Sequence, residues 1–256
     1  DLDELADGIR PFREYRWQAS ASIADAASPR PAPPASSGHV EVRNPADLSD
    51  VVGRVVPATE VDVVAAVAAA AAGFRDWSAR PAEERAAALE AAADRYETHA
   101  GELHALCIRE AGKTIRDAVA EVREAVDFLR YYASEARAGL CAAPGAPAPT
   151  GRGVLACISP WNFPLAVFTG QVAGALAAGN AVLAKPAEQT PLIAARAVTL
   201  LREAGVPAAA MQLLPGDGET VGAALTRASG IAGVLFTGST EVARAIERTL
   251  AVLAAP

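Results

Sequence analysis

The chain has 256 residues and a net charge of −7 with no basic block, which argues against a nucleic-acid partner. Hydrophobic residues are 52% of it but aromatics only 5%, a balance that favours alanine-rich helices packed through small side chains. The longest apolar run, 165–184, is interrupted by Gly170, Gln171, Gly174, Gly179 and Asn180, so it reads as a helix followed by a strand and not as an integral membrane segment. Cys107, Cys141 and Cys157 have neither metal-ligand spacing nor an even count; they suit a reducing cytoplasm, and no metal site is expected.

In chain order, residues 1–40 read as an N-terminal arm, with an amphipathic stretch around Phe12, Tyr15 and Trp17, and a Pro-rich linker at Ser28–Ser37. Residues 41–150 read as a helical part. Thr59 and Asp62 form a capping-box pattern that opens a helix to about Phe74. A second helix starts at Pro81 and runs, with a break at Gly101, to Ala111, where Gly112 stops it. A third spans about Asp117–Ala138, with Val119, Val122, Val126 and Leu129 on one face. His104 is expected on a helix surface. Lys113-Thr114 after Gly112 lacks the upstream glycine of a phosphate loop and follows a helix, so Glu110–Thr114 reads as a helix terminus.

Residues 151–256 change pattern. Strands near 153–158, 181–184, 211–214 and 232–236 alternate with helices near 164–178, 191–204, 217–227 and 240–252. Short apolar strands alternating with helices predict an α/β fold, a doubly wound parallel sheet that binds ligands at the carboxyl ends of its strands. Pro160 and Pro164 bracket Asn162 at one such end and stiffen the turn. Asn162 there either ties off the turn or donates to a developing oxyanion, and the residues alone leave both readings open. Gly238-Ser239-Thr240 follows a strand and opens a helix. It is either an ordinary helix cap or a pyrophosphate site built from free N–H groups and the Ser239 hydroxyl. Lys185 and Glu188 leave another strand end, where they form either a surface ion pair or a grip on a ribose diol.

Four blocks resemble the aldehyde dehydrogenase superfamily: ISPWNFP at Ile158–Pro164, GNAVLAKPAEQTP at Gly179–Pro191, PGDG at Pro215–Gly218 and FTGSTEVA at Phe236–Ala243. The similarity covers roughly residues 41–250, from Arg43-Asn-Pro-Ala-Asp47 onward through Glu110-Ala-Gly-Lys-Thr114. RNPADLSDVVG, EVREAVDFLRYYA and FPLAVFTGQVAGALAAGN look most like the glutamate-semialdehyde (1-pyrroline-5-carboxylate) dehydrogenase module of bifunctional bacterial proline-utilisation proteins. The resemblance implies a Rossmann-like NAD-binding domain with an N-terminal helical lead-in. It places NAD against Ile158, Ser159, Pro160, Trp161, Lys185, Ala187, Glu188, Gly216, Gly218, Phe236, Thr237, Gly238, Ser239 and Val242, and makes Asn162 an oxyanion donor. Glu188 goes with NAD over NADP. Ala243 stands where many relatives have glycine.

The reaction so implied oxidises an aldehyde to L-glutamate through a cysteine thiohemiacetal. The nucleophilic cysteine and general-base glutamate of the family lie in segments after the Gly-Ser-Thr turn that do not match anything up to Pro256, and all three cysteines read as packing residues. The catalytic domain is therefore expected outside this chain, residues 151–256 a truncated part, and the chain alone inactive. FAD would belong only to a preceding proline dehydrogenase domain. Expected partners are a small aldehyde, the catalytic half, and an oligomer mate or proline dehydrogenase domain. The dozen or so residues of Gly139–Arg152 are shorter than the hairpin by which relatives associate, which weakens the oligomer expectation. Alternatives are an NAD-binding piece of another aldehyde dehydrogenase subclass, or a non-catalytic scaffold of the same fold.

Overall fold

A computed structural model describes residues 2–24, 38–140 and 149–253. Its centre is a parallel sheet in the order β6-β5-β4-β7: β4 Val154–Ile158, β5 Ala181–Lys185, β6 Met211–Leu213 and β7 Ile231–Phe236. β4 (VLACI) and β5 (AVLAK) are buried at every residue, as expected of central strands covered on both faces. Side chains alternate between those faces. Leu155, Cys157, Val182 and Ala184 join the larger core, with α6 (Ala166–Ala177), α7 (Pro191–Glu203) and the helices before them. Val154, Ala156, Ala181 and Leu183 face the other way, against α2 (Glu60–Ala79) and α8 (Ala223–Arg227). From β4 the chain steps outward through β5 to β6, then returns past β4 to place β7 on its other side. The point where that direction reverses lies between β4 and β7, the usual ligand crevice of open α/β sheets.

The predicted strands and the helices following β4, β5 and β7 agree with the structure to within about two residues. The helix expected at 217–227 is split into a π-helical turn, Gly218–Gly222, and α8. α2 begins at the expected capping box, Thr59 and Asp62 exchanging backbone and side-chain hydrogen bonds. It runs past Phe74 to Ala79 because Gly73 is no stop: a Cβ there would lie 2.4 Å from the backbone of Ala209, so the glycine marks a close approach. α3 (Ala82–Thr98) and α4 (Ala100–Arg109) meet at His99, two residues before the expected break. Gly101 instead lets α4 cross the helix α1 (Leu2–Ile9), where a Cβ would lie 2.3 Å from Gly8 O. His104, expected on the surface, is buried, because α4 is covered by both α1 and α5 (Ile115–Gly139).

The segment expected to be helical from residue 41 opens with a β-hairpin, β2 (Val40–Asn44) and β3 (Asp47–Val56). Asn44 Oδ1 accepts from Ala46 N and sets its turn. The arm is not loose either. β1 (Trp17–Ser20) pairs parallel with β3, and Ser22 bridges to Leu213 at the edge of the large sheet. Trp17 is buried and donates to Glu102, whose other oxygen takes Arg196. Arg109 grips Asp50 with two nitrogens, donates to Phe12 O and Tyr15 O, and lies over the Trp17 ring. The Pro-rich linker at 28–37 lies outside the described residues, as do Cys141 and most of the 139–152 connection.

Candidate functional site

The strand ends of the large sheet carry Asn162, Lys185, Glu188, Gly216, Gly218, Gly238 and Ser239. β4 runs out through Ser159-Pro160 into Trp161, Asn162 and Phe163, all three of which are exposed. Among the described residues the Asn162 side chain makes no hydrogen bond, so it does not tie the turn to any of them. Glu121 does. From α5 its Oε2 accepts from Leu165 N at 3.1 Å and Ala166 N at 2.9 Å, the first free donors of α6. Across the reversal point Thr237 N donates to Ile158 O. Gln171 on α6 spans the same gap, its Nε2 reaching Ile158 O at 3.2 Å and Thr237 Oγ1 at 3.0 Å. The ends of β4 and β7 are thus stapled together under the crevice.

At β7 the chain turns through Gly238 and Ser239 into α9 (Thr240–Leu253). Ser239 Oγ accepts from Val242 N at 3.2 Å, a helix cap. Its hydroxyl proton remains free to donate outward, so the capping and anion-binding readings are compatible. A Cβ on Gly238 would lie 2.5 Å from the Phe236 ring, which therefore packs directly under the turn. The first turn of α9 is exposed, including Val242.

At β5, Lys185 is buried and its Nζ donates to Pro186 O at 2.9 Å, while Glu188 is exposed. The two do not form an ion pair, which removes the plain surface-pair reading. Burial pulls the Lys185 ammonium below its ordinary pKa, while Glu188 and Asp217 draw it back up. Asp217 therefore belongs to the same electrostatic cluster. Its own carboxyl is held below the usual range by the Thr220 backbone N–H. The Lys185 stem runs under Gly222. At β6, the two glycines around Asp217 differ. A Cβ on Gly216 would meet Val221 Cγ2 at 2.4 Å, so that glycine is required by internal packing; at Gly218 nothing lies within 4 Å, and the backbone is open to a ligand.

An extended dinucleotide fits these features: an exposed helix N-terminus for its phosphates, a carboxylate beside a lysine for a ribose, and an open glycine for a flat ring. Ser159 Oγ, buried and without a partner, adds an unsatisfied polar group on the β4 side. Gln171, Glu121, Lys113 and Asp217 were not foreseen. Glu121 carried a signal, a carboxylate among Ala118, Val122 and Ala125 on the buried face of α5, and Gln171 stands out in the largely apolar α6. The thiols do not belong to this site. Cys107 and Cys157 are buried, and burial pushes Cys157 up to about 12 and Cys107 well above its ordinary value, so neither supplies a thiolate. Among the described residues no His/Cys/Asp/Glu group could hold a metal, and no helix is long and apolar enough to cross a membrane.

Comparison with known proteins gives the same region a family. Residues 33–254 match the aldehyde dehydrogenase family. The chain is 52% identical over 251 residues to the bifunctional protein PutA of Escherichia coli (strain K12), covering 98% of this chain and 18% of that protein. It is 39% identical over 221 residues to 1-pyrroline-5-carboxylate dehydrogenase 2 of Bacillus subtilis (strain 168), covering 82% of this chain and 42% of the relative. A solved 1-pyrroline-5-carboxylate dehydrogenase from Thermus with bound NAD superposes with a TM-score of 0.87 at 33% identity, over 97% of this chain and 49% of that one. The chain thus spans under a fifth of the PutA length and under half of the single-function enzymes.

Proposed function

The chain belongs to the aldehyde dehydrogenase family, and from that premise we propose that it is the NAD-binding part of a dehydrogenase that oxidises glutamate semialdehyde, the open form of 1-pyrroline-5-carboxylate, to L-glutamate. The observation that carries this is the exposed N-terminus of α9 facing the Asn162 turn across the reversal point between β4 and β7. NAD supplies the hydride acceptor. The chain's own residues bind and orient. Gly238 and Ser239 offer backbone and hydroxyl donors to the pyrophosphate, assisted by the helix dipole. Glu188 accepts from the adenosine ribose hydroxyls, and Lys185 holds the same edge from beneath. Gly218 leaves room for the adenine, Val242 walls it, and Trp161 flanks the phosphates. Asn162, with a free amide at a stiff strand end, donates to the oxyanion as the aldehyde carbon is attacked. The attacking thiol and the general base come from outside the described residues. The PutA relatives are named bifunctional; a preceding proline dehydrogenase domain, as the family resemblance implies, would supply the substrate.

The test is cofactor selectivity of the complete enzyme. Glu188→Gln removes the charge that opposes a 2′-phosphate and, because Glu188 is exposed, is expected to raise the NADP-to-NAD ratio of kcat/KM about fivefold to tenfold, on the scale of one Coulomb interaction at about 4 Å in water, about 1 kcal/mol. An unchanged ratio would overturn the assignment of this strand end to the ribose.

A further inference from the structure

We propose that Glu121, braced by Lys113, is the positioning residue that presents Asn162 to the reacting carbonyl; this rests on the reading of Asn162 as oxyanion donor. α6 begins immediately after the Asn162 turn, and its first residues have no local cap: Leu165, at the cap position, offers no side-chain acceptor. Pro164 has no N–H to give. The two free donors that follow, Leu165 N and Ala166 N, both go to Glu121 Oε2. A carboxylate at a helix N-terminus is also favoured by the dipole. The acceptor comes from another element, 44 residues back in the chain, so the start of α6 is pinned to α5 and not merely capped.

The second oxygen completes the brace. Glu121 Oε1 lies 3.2 Å from Lys113 Nζ, an ion pair with both side chains withdrawn from solvent. It accepts no aligned hydrogen bond, so the lysine acts as a nearby charge. The same ammonium lies 4.8 Å from the centroid of the Phe163 ring, a cation–π contact on the residue after Asn162. Glu121 therefore holds the backbone three and four residues after Asn162, and Lys113 holds the side chain one residue after it. Among the described residues the Asn162 side chain has no hydrogen bond to fix it. Its aim follows from the turn, whose β4 side is held by the sheet and whose α6 side is held by this pair. A misplacement of about 1 Å at a reacting group can cost on the order of 10²-fold in rate.

The experiment is a double-mutant cycle on the complete enzyme, reading kcat and KM for NAD. Asn162→Ala is expected to lower kcat about 10²- to 10³-fold. Glu121→Gln, which leaves an acceptor but removes the charge that holds Lys113, is expected to lower kcat about tenfold to 10²-fold with KM for NAD unchanged. The double variant should be no slower than Asn162→Ala alone, because Glu121 acts only through Asn162. Lys113→Met should show the same non-additivity, with Lys113→Arg restoring most of the rate; this pair decides the matter should Glu121→Gln fail to fold. If Asn162→Ala leaves kcat intact, the oxyanion reading itself fails. If Asn162→Ala is slow but the Glu121 or Lys113 effects multiply with it, or appear in stability alone, the pair is a structural cap and the positioning role is overturned.

Discussion

Two glutamates on the helical layer do parallel work at the sheet. Glu121 takes the first donors of α6, and Glu110 takes those of α7, its two oxygens accepting from Leu192 N at 2.7 Å and Ile193 N at 2.9 Å. Glu110 is buried, and burial pushes its carboxyl up to about 8 from an ordinary 4.5, against the pull of those two hydrogen bonds. The folded state therefore keeps a proton that the unfolded chain releases near 4.5. Glu110's contribution to stability is complete below that value and is lost as the pH rises through it to about 8. Glu110→Gln, which cannot ionise, is expected to flatten that slope; denaturant unfolding at pH 5, 6.5 and 8 measures it. An equal fall with pH in both proteins would mean that the carboxylate is ionised in place and stabilised by the helix. In the sequence Glu110 read only as part of a helix terminus. Its partners lie 82 and 83 residues away, a distance that no local pattern reports.

At the scale of elements, apolar runs of the right length located the four strands of the parallel sheet, and the glycine and proline punctuation located the helices between them. The start of α9 was legible for the same reason: Ser239 sits between an apolar strand and a periodic helix. What the hydroxyl does there separates into two measurable effects. Ser239→Ala removes the cap and is expected to cost about 1 kcal/mol of stability, whereas Ser239→Gly costs only a few tenths, since glycine is tolerated at this position. Both lose the same hydroxyl, so both are expected to weaken NAD binding about tenfold in calorimetric titration of the complete enzyme, the size of a hydrogen bond to a charged group. Affinities that remain at the unmodified level in both variants would make Ser239 a cap alone. The small sheet of β1, β2 and β3 was not legible. β2 and β3 form a local hairpin, but β1 is only four residues long and its partner is remote: Trp17 pairs with Gly53.

For the molecule as a whole, the arm is part of the cooperative structure. Trp17 packs against Phe12, Tyr15 and Arg109 and donates to Glu102, and Arg202 holds Ser22 O and Met211 O together at the sheet edge. Trp17→Ala is expected to cost about 3–5 kcal/mol in denaturant unfolding, the usual range for a buried tryptophan. A cost below about 1 kcal/mol, the level of an exposed site, would return the arm to the status of a tether. The sequence by itself determined the class of fold, the strand ends at which chemistry-bearing residues emerge, and the family, because burial on both faces imposes apolar runs and ligand contacts impose fixed local motifs. Only the tertiary structure decided that the arm is a strand and that His104 is interior. It also decided that Lys185 is buried while Glu188 is not, and that Glu121 and Lys113 contact the residues that follow Asn162. Those facts depend on which surfaces meet. A side chain's burial and hydrogen-bond partners are set by elements distant in the chain, so they leave no periodic trace where the residue itself is read.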